Sequence, residues 1–375
     1  MNNKFTFIDL FAGCGGLSLG MEQAGFTPIF ANEIWKTAAE TYKRNRSMSN
    51  DQVFIGDIKY LVDHIGDFKF PKEVTMVCGG PPCQGFSMAN RQRVIDDPRN
   101  HLYKSYLQFL AQVRPQCFVM ENVRGMATRI DEIIDNFRSI LGDEYDFDYA
   151  LLNSVDFGVP QSRVRFILIG NRIGADSSEI FNDIKSFKRP NFVLRDAIEE
   201  LPALGHKLQK GKSEEESDAV GYFERSFAYP STKFYKFING DKKVDKLYNH
   251  KNRYNNARDI EIYSRLPQGA NSLHESIADI MPYARRNGIF KDKYFKLEED
   301  KVCKTITSHM KFDCNMYIHP WYSRGLTARE AARVQTFPDD FVFYGPQNSW
   351  YGQIGNAVPV KLAYAIGKAI IGRFQ

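Results

Sequence analysis

The chain has 375 residues, 43% hydrophobic and 25% charged, which gives enough apolar content for a buried core and excludes global disorder. No uninterrupted apolar run approaches the roughly 20 residues of a membrane span, and no apolar leader core follows Met1-Asn2-Asn3-Lys4, so the expectation is a cytoplasmic chain with no membrane partner and reduced cysteines. The net charge of +5 is mild, but residues 231–320 hold 17 Lys and Arg against 11 Asp and Glu, while the remainder holds 33 against 34.

That basic segment is interleaved with Tyr235, Tyr248, Tyr254, Tyr263, Tyr283 and Tyr294. Basic and aromatic residues together predict a surface that meets a phosphate backbone; an ordinary solvated basic surface is the alternative. Lys233, Lys236, Lys251 and Arg253 are the candidate phosphate contacts.

In chain order, residues 5–12 read as a buried strand, followed by a glycine-rich turn and a helix from Leu17 to Ala24. A second strand ends at Glu33, and a helix runs from Trp35 to Arg44. Strands are predicted at Val74–Cys78, Cys117–Met120 and Phe166–Gly170, with an amphipathic helix over Leu102–Val113. Alternating strands and helices predict an α/β fold with a mostly parallel sheet. Periodicity weakens from Asn171 to Pro320, and residues 205–219 read as a polar loop. Helices return at Thr327–Gln335, where Thr327 and Glu330 form a capping box, and at Val360–Ile371.

Two loops carry chemistry. Asp9-Leu10-Phe11-Ala12-Gly13-Cys14-Gly15-Gly16 follows a strand and opens a helix. Its spacing is neither the dinucleotide fingerprint nor a Walker loop, so phosphate is not its natural ligand. Glu33, 18 positions after Gly15, stands where a carboxylate usually bonds ribose hydroxyls. Asp57, at a third strand end, could hold an adenine amino group. A ribose-adenine cofactor without pyrophosphate suggests S-adenosylmethionine; a merely structural tight turn is the alternative. The second loop, Val77-Cys78-Gly79-Gly80-Pro81-Pro82-Cys83-Gln84-Gly85-Phe86-Ser87, presents a cysteine from a rigid turn, as a nucleophile requires. The alternative is an ordinary loop cysteine. The position three after Cys83 is Phe86, so the zinc-deaminase spacing fails, and no metal is implied.

These segments resemble the bacterial DNA (cytosine-5)-methyltransferases. Pro81–Ser87 is similar to that family's nucleophile loop, and Phe7–Gly16 to its cofactor loop. Met120-Glu121-Asn122-Val123 resembles its acid motif, and Gln161-Ser162-Arg163-Val164-Arg165 its Gln-x-Arg-x-Arg motif. Residues 329–338 and 353–359 resemble its two closing motifs, so the likenesses run in family order from Phe7 to Pro359. A tRNA-modifying relative of the same fold would carry a Cys-Phe-Thr element before the closing motifs, absent here, and a catalytically dead regulator would be expected to lose Cys83, Glu121 or the cofactor loop.

The resemblance implies a Rossmann-like S-adenosylmethionine-dependent methyltransferase domain over 1–174 and 320–375, and an irregular target-recognition domain over 175–319. It implies methylation of carbon 5 of a cytosine flipped from double-stranded DNA, with S-adenosylhomocysteine as product. Cys83 becomes the nucleophile, Glu121 the acid at N3, and Arg163 and Arg165 the clamps on the base carbonyl and the acid. Phe11, Gly13, Gly15, Gly16, Glu33, Asp57, Ile58, Pro81, Leu102, Asn356 and Val358 become the cofactor site. Ser87, Arg91, Arg99, Gln268 and Thr305 are expected at the DNA. The same likeness implies a monomer in a bacterial or phage-infected cell, serving restriction-modification beside a separate endonuclease.

Overall fold

The computed structural model describes residues 5–82, 101–211, 214–282 and 293–374. They divide into two compact units.

The first unit comprises Met1–Gly158, Arg163–Pro190 and Val358–Gln375. Its elements are β1 (Thr6–Leu10), α1 (Gly16–Ala24), β2 (Thr27–Glu33), α2 (Lys36–Arg46), β3 (Val53–Ile55), α3 (Ile58–Asp63), β4 (Met76–Gly79), α4 (His101–Val113), β5 (Cys117–Val123), α5 (Ile130–Leu141), β6 (Asp146–Asn153), β7 (Val164–Asn171) and α6 (Ser177–Ser186). The strands form one sheet in the order β3-β2-β1-β4-β5-β7-β6. The first five pair in parallel; β7 lies antiparallel between β5 and β6. The apolar run of β1 is buried from Phe7 to Leu10 because both faces of the sheet are covered. Phe7, Met76, Val119 and Ile167 join one core cluster, and Ile8, Val77, Phe118 and Phe166 the other. The strand order reverses direction between β1 and β4, so the crevice beyond their carboxyl ends is where an open α/β sheet takes its ligand.

The second unit comprises Val159–Ser162 and Asn191–Ala357. Its elements are short: α7 (Leu194–Ile198), α8 (Glu216–Ala219), β8 (Glu224–Ser226), α9 (Lys233–Asn239), β9 (Lys246–Tyr248), α10 (Ala257–Arg265), α11 (Ala328–Val334) and α12 (Gln347–Asn356). Buried ion pairs supplement its small apolar clusters. Arg324 holds Glu330 by two bonds of 2.7 and 2.8 Å, and Arg333 holds Asp339 by bonds of 2.7 and 2.8 Å. Burial opposes the Glu330 charge, yet Arg324 and His319 keep its carboxyl well below the usual range. The predicted capping box is present at the start of α11, with Thr327 Oγ1 accepting from Glu330 N–H at 3.1 Å. Residues 205–219, expected as a loop, end in α8.

The chain then returns to the first unit as α13 (Val360–Gly372), which packs on α1. Gly20 permits that approach, since a methyl there would collide with Ala363 and the Val360 backbone. The division therefore differs from the expected one at both ends. Residues 175–190 stay with the sheet because Ile180, Phe181 and Ile184 of α6 join its core. Residues 320–357 stay with the second unit, where α11 packs on α7 and α12.

Candidate active site

The site is built at the carboxyl ends of β1, β2, β4 and β5 and at the amino end of the antiparallel β7. Beyond β1 the chain turns through Phe11 at φ 57° and Gly13 at φ 56°, both left-handed. A glycine meets no steric penalty in that conformation, and the phenylalanine is held there by its packing on the core beside the sheet. The loop ends at Gly15, which caps α1, and the helix begins at Gly16, one residue before the predicted start.

Glu33, the last residue of β2, organises this loop. One of its carboxylate oxygens accepts the Gly13 N–H at 2.7 Å and the other the Trp35 N–H at 2.7 Å. Burial raises the Glu33 carboxyl above its ordinary pKa, and the amides of Trp35 and Gly13 counter that shift. Each oxygen keeps a lone pair for a hydroxyl donor, so the residues present fit a ribose. Phe11, Ile58 and Leu102 share one apolar cluster, as an adenine pocket requires. Asp57 stands two residues beyond β3, and its carboxylate caps α3 by accepting the Lys59 N–H at 2.8 Å. Val358 is buried in the core against α13, and Asn356 is exposed at the end of α12 in the second unit.

Beyond β4 the chain runs through Gly79, Gly80 and Pro81 toward Cys83. Cys83 itself lies outside the described residues, with Ser87, Arg91 and Arg99. What precedes it is well fixed. Asn122 Nδ2 donates to the Pro81 carbonyl at 2.8 Å, tying the loop to β5. Glu121 and Arg165 are diagonal neighbours on one face of the antiparallel pair β5–β7, where Glu121 faces Ile167 and Val123 faces Arg165. Arg165 Nε lies 2.7 Å from Glu121 Oε1, and each side chain is 13% exposed. The other carboxylate oxygen lies against Gly80, where a methyl group would come within 2.9 Å of it. The side chain of Arg163, the residue before β7, is buried, and the Arg163 backbone N–H donates to Asn153 Oδ1 at 3.1 Å. A carboxyl group is thus held by one arginine beside the loop that leads into a cysteine.

A profile of the C-5 cytosine-specific DNA methylases matches residues 5–372. The chain belongs to that family. It is a DNA (cytosine-5)-methyltransferase. It is 33% identical to the type II methyltransferase M1.HphI of Haemophilus parahaemolyticus, over 98% of this chain and 87% of the relative. It is also 33% identical to M.DdeI of Desulfomicrobium norvegicum, over 99% of this chain and 89% of the relative. Among solved structures, one assigned as a DNA modification methyltransferase encoded within an Escherichia coli prophage superposes with a TM-score of 0.75 at 25% identity, covering 99% of both chains.

In this methylase several residues expected at the DNA do other work. Thr305 Oγ1 donates to the Ser162 carbonyl at 2.6 Å. Gln268 Oε1 accepts the Glu299 N–H at 3.0 Å, and its amide nitrogen reaches Glu299 and the Pro320 carbonyl. Lys251 is buried and paired with Asp218, and Arg253 is spent on the carbonyls of Met310 and Lys311 and on Asn348. Tyr235, Tyr263 and Tyr294 are core residues. The basic and aromatic content of 231–320 therefore builds the interior of the second unit as well as its surface. Lys233 and Lys236 stay exposed on α9.

Three features of the site were not singled out in the sequence. They are the Trp35 amide on Glu33, the Asn122 tie to Pro81, and Ile34, an apolar side chain 69% exposed beside Glu33. An isoleucine directly after the strand-end carboxylate Glu33 is the sequence signal that could have found the last.

Proposed function

We propose that this chain methylates carbon 5 of a cytosine within a specific double-stranded DNA sequence, by covalent addition of Cys83 to carbon 6 of a flipped-out base. The observation that carries the proposal is the Glu121–Arg165 pair set against Gly80, three residues before Cys83. Carbon 5 of cytosine is electron-poor. Addition of the Cys83 thiolate at carbon 6 forms a C–S bond and pushes electron density onto carbon 5. Glu121 bonds or protonates N3 as that charge develops, with Arg165 orienting the carboxyl. Arg163 and Arg165 are the groups proposed for the base carbonyl. S-adenosylmethionine, when bound, supplies the methyl group on a sulfonium that departs as a neutral thioether. Loss of the carbon 5 proton then returns its electron pair to the ring and expels Cys83. A cytosine stacked in duplex cannot reach the cysteine, so the base must leave the helix, at about a few kcal/mol of unstacking.

Glu33 is the proposed ribose ligand, Phe11, Ile58 and Leu102 the adenine surface, and Asn356 and Val358 the methionine end. Residues 191–319, within the second unit, are proposed to read the target. The setting we propose is cytoplasmic restriction-modification beside a separately acting endonuclease, with the methylase acting as a monomer. The test is expression in a host free of cytosine methylation, followed by enzymatic methylcytosine conversion and genome sequencing. The proposal expects modified cytosines within one short recurring motif, and none with Cys83→Ser. Folded wild-type protein that leaves the genome unmodified would overturn it.

A further inference from the structure

The glycine loop is gripped by a side chain that lies in none of the motifs. Arg46, in the last turn of α2, is buried, with only 4% of its side chain exposed. Its Nη2 donates to the Gly15 carbonyl at 2.9 Å, and its Nε pairs with Glu22 of α1 at 2.7 Å. The guanidinium lies 4.0 Å from the centre of the Tyr42 ring, and Nη1 donates to the Tyr42 carbonyl at 3.3 Å. Gly15 stands at φ 89°, and a methyl there would come within 2.6 Å of Arg46 Nη1 and 2.7 Å of the Tyr42 ring. The lack of a side chain at Gly15 thus makes room for the arginine and the tyrosine. Below them the Tyr42 hydroxyl is 2.8 Å from Ser18 Oγ, which donates to buried Asp9 at 2.5 Å.

We propose that Arg46 is a positioning residue for cofactor binding. It fixes the carbonyl at the end of the glycine loop while Glu33 fixes the Gly13 amide in its middle. The loop is then held at two points by groups outside it, and the Glu33 carboxylate keeps the orientation a ribose needs. Arg46 touches Gly15 and not Glu33, so its influence on the ligand passes through the loop backbone. When the Gly15 turn relaxes, the Gly13 amide is free to leave Glu33, and water competes for the carboxylate. This inference rests on the loop being the S-adenosylmethionine site.

The test is titration calorimetry with S-adenosylhomocysteine, paired with steady-state kinetics. Wild-type protein is titrated first; failure to bind would overturn the cofactor assignment itself and the inference with it. With wild-type binding established, Arg46→Ala should raise the Kd about tenfold, in the range expected for losing a hydrogen bond from a charged donor. Arg46→Lys can reach Gly15 or Glu22 but not both, and should fall between the two. The KM for S-adenosylmethionine should rise in parallel, while kcat at saturation and the KM for DNA stay at wild-type values. A purely structural role would instead lower the active fraction, and so kcat, with the cofactor KM unmoved. A Kd for Arg46→Ala within twofold of wild type overturns the inference. If that variant fails to fold, Glu22→Gln keeps the arginine and neutralises its partner; it should raise the Kd about twofold to threefold, and no change would be contrary.

Discussion

Replacing Glu121 by Gln separates the structural role of this carboxylate from its chemical one. The amide oxygen of Gln can still accept from Arg165 Nε, which lies 2.7 Å from the carboxylate, and can fill the same space against Gly80. What disappears is the negative charge and the capacity to carry a proton. Both partners are only 13% exposed, so solvent screens the pair weakly, but Gln keeps a hydrogen bond from the still-charged Arg165, and the exchange should cost about 1 kcal/mol of stability. For a unit of this size that is a fall of about 2–4 °C in Tm. Loss of a positioned general acid should lower kcat by about 10²–10⁴-fold. The assay is transfer of a labelled methyl group to DNA carrying the recognised motif, with kcat and both KM values measured beside a thermal melt. A kcat within threefold of wild type would remove Glu121 from the chemistry. A Tm drop of more than about 10 °C would show that the pair mainly holds β5 to β7.

Glu33→Ala removes the acceptor from the Gly13 and Trp35 amides and from the proposed ribose, so the Kd for S-adenosylhomocysteine should rise about tenfold to hundredfold; an unchanged Kd would contradict the assignment. Because burial raises the Glu33 carboxyl, wild-type affinity should also weaken as the pH is lowered toward its pKa. His250 is buried with Nε2 2.8 Å from the Pro202 carbonyl and Nδ1 3.0 Å from Thr327 Oγ1, and burial lowers its pKa from 6.5 to about 4. The unfolded chain takes up this proton below about 6.5 and the folded one only near 4, so stability present above pH 6.5 should be lost as pH falls through that window, by up to about 3 kcal/mol. Denaturant melts at pH 7.5 and 5 check this, and equal dependence in His250→Asn would refute it. Lys251→Ala removes the cation paired with the half-buried Asp218 and should destabilise the protein by about 1–3 kcal/mol without altering the salt dependence of DNA binding; a reduced salt slope would restore Lys251 as a phosphate contact.

What the sequence could reveal depended on how local the causes were. The capping box of α11 was legible because Thr327 and Glu330 lie within one turn. Strands β1, β2, β4 and β5 and helix α4 were legible from apolar pattern, and the glycine loop from its place between a strand and a helix. The antiparallel insertion of β7 was not, because the pairing of Cys117 with Asn171 is a long-range choice that no local pattern encodes. Charge in 231–320 was visible, but its direction was not. Tyr263 and Lys251 face inward because α10 needs an apolar side and Asp218 needs a cation. The unit boundary beside the Gln-x-Arg-x-Arg motif was equally hidden. Gln161 accepts from the Ile306 N–H at 2.6 Å and donates to Gln335 at 2.9 Å, contacts 145 and 174 positions away. Arg46 belongs to no motif, and only the folded position of α2 brings it to Gly15.

The most direct test of the account is covalent trapping. A duplex carrying the recognised motif with 5-fluorocytosine at the target position is incubated with the methylase and S-adenosylmethionine, digested, and analysed by mass spectrometry. Fluorine cannot leave as a proton does, so expulsion of the thiolate is blocked after methyl transfer. The predicted product is a peptide in which the Cys83 sulfur bonds carbon 6 of a methylated fluorocytosine, and Cys83→Ser gives none. Normal methylation of ordinary cytosine with no adduct, or an adduct at another residue, would contradict the assignment of Cys83 as the nucleophile.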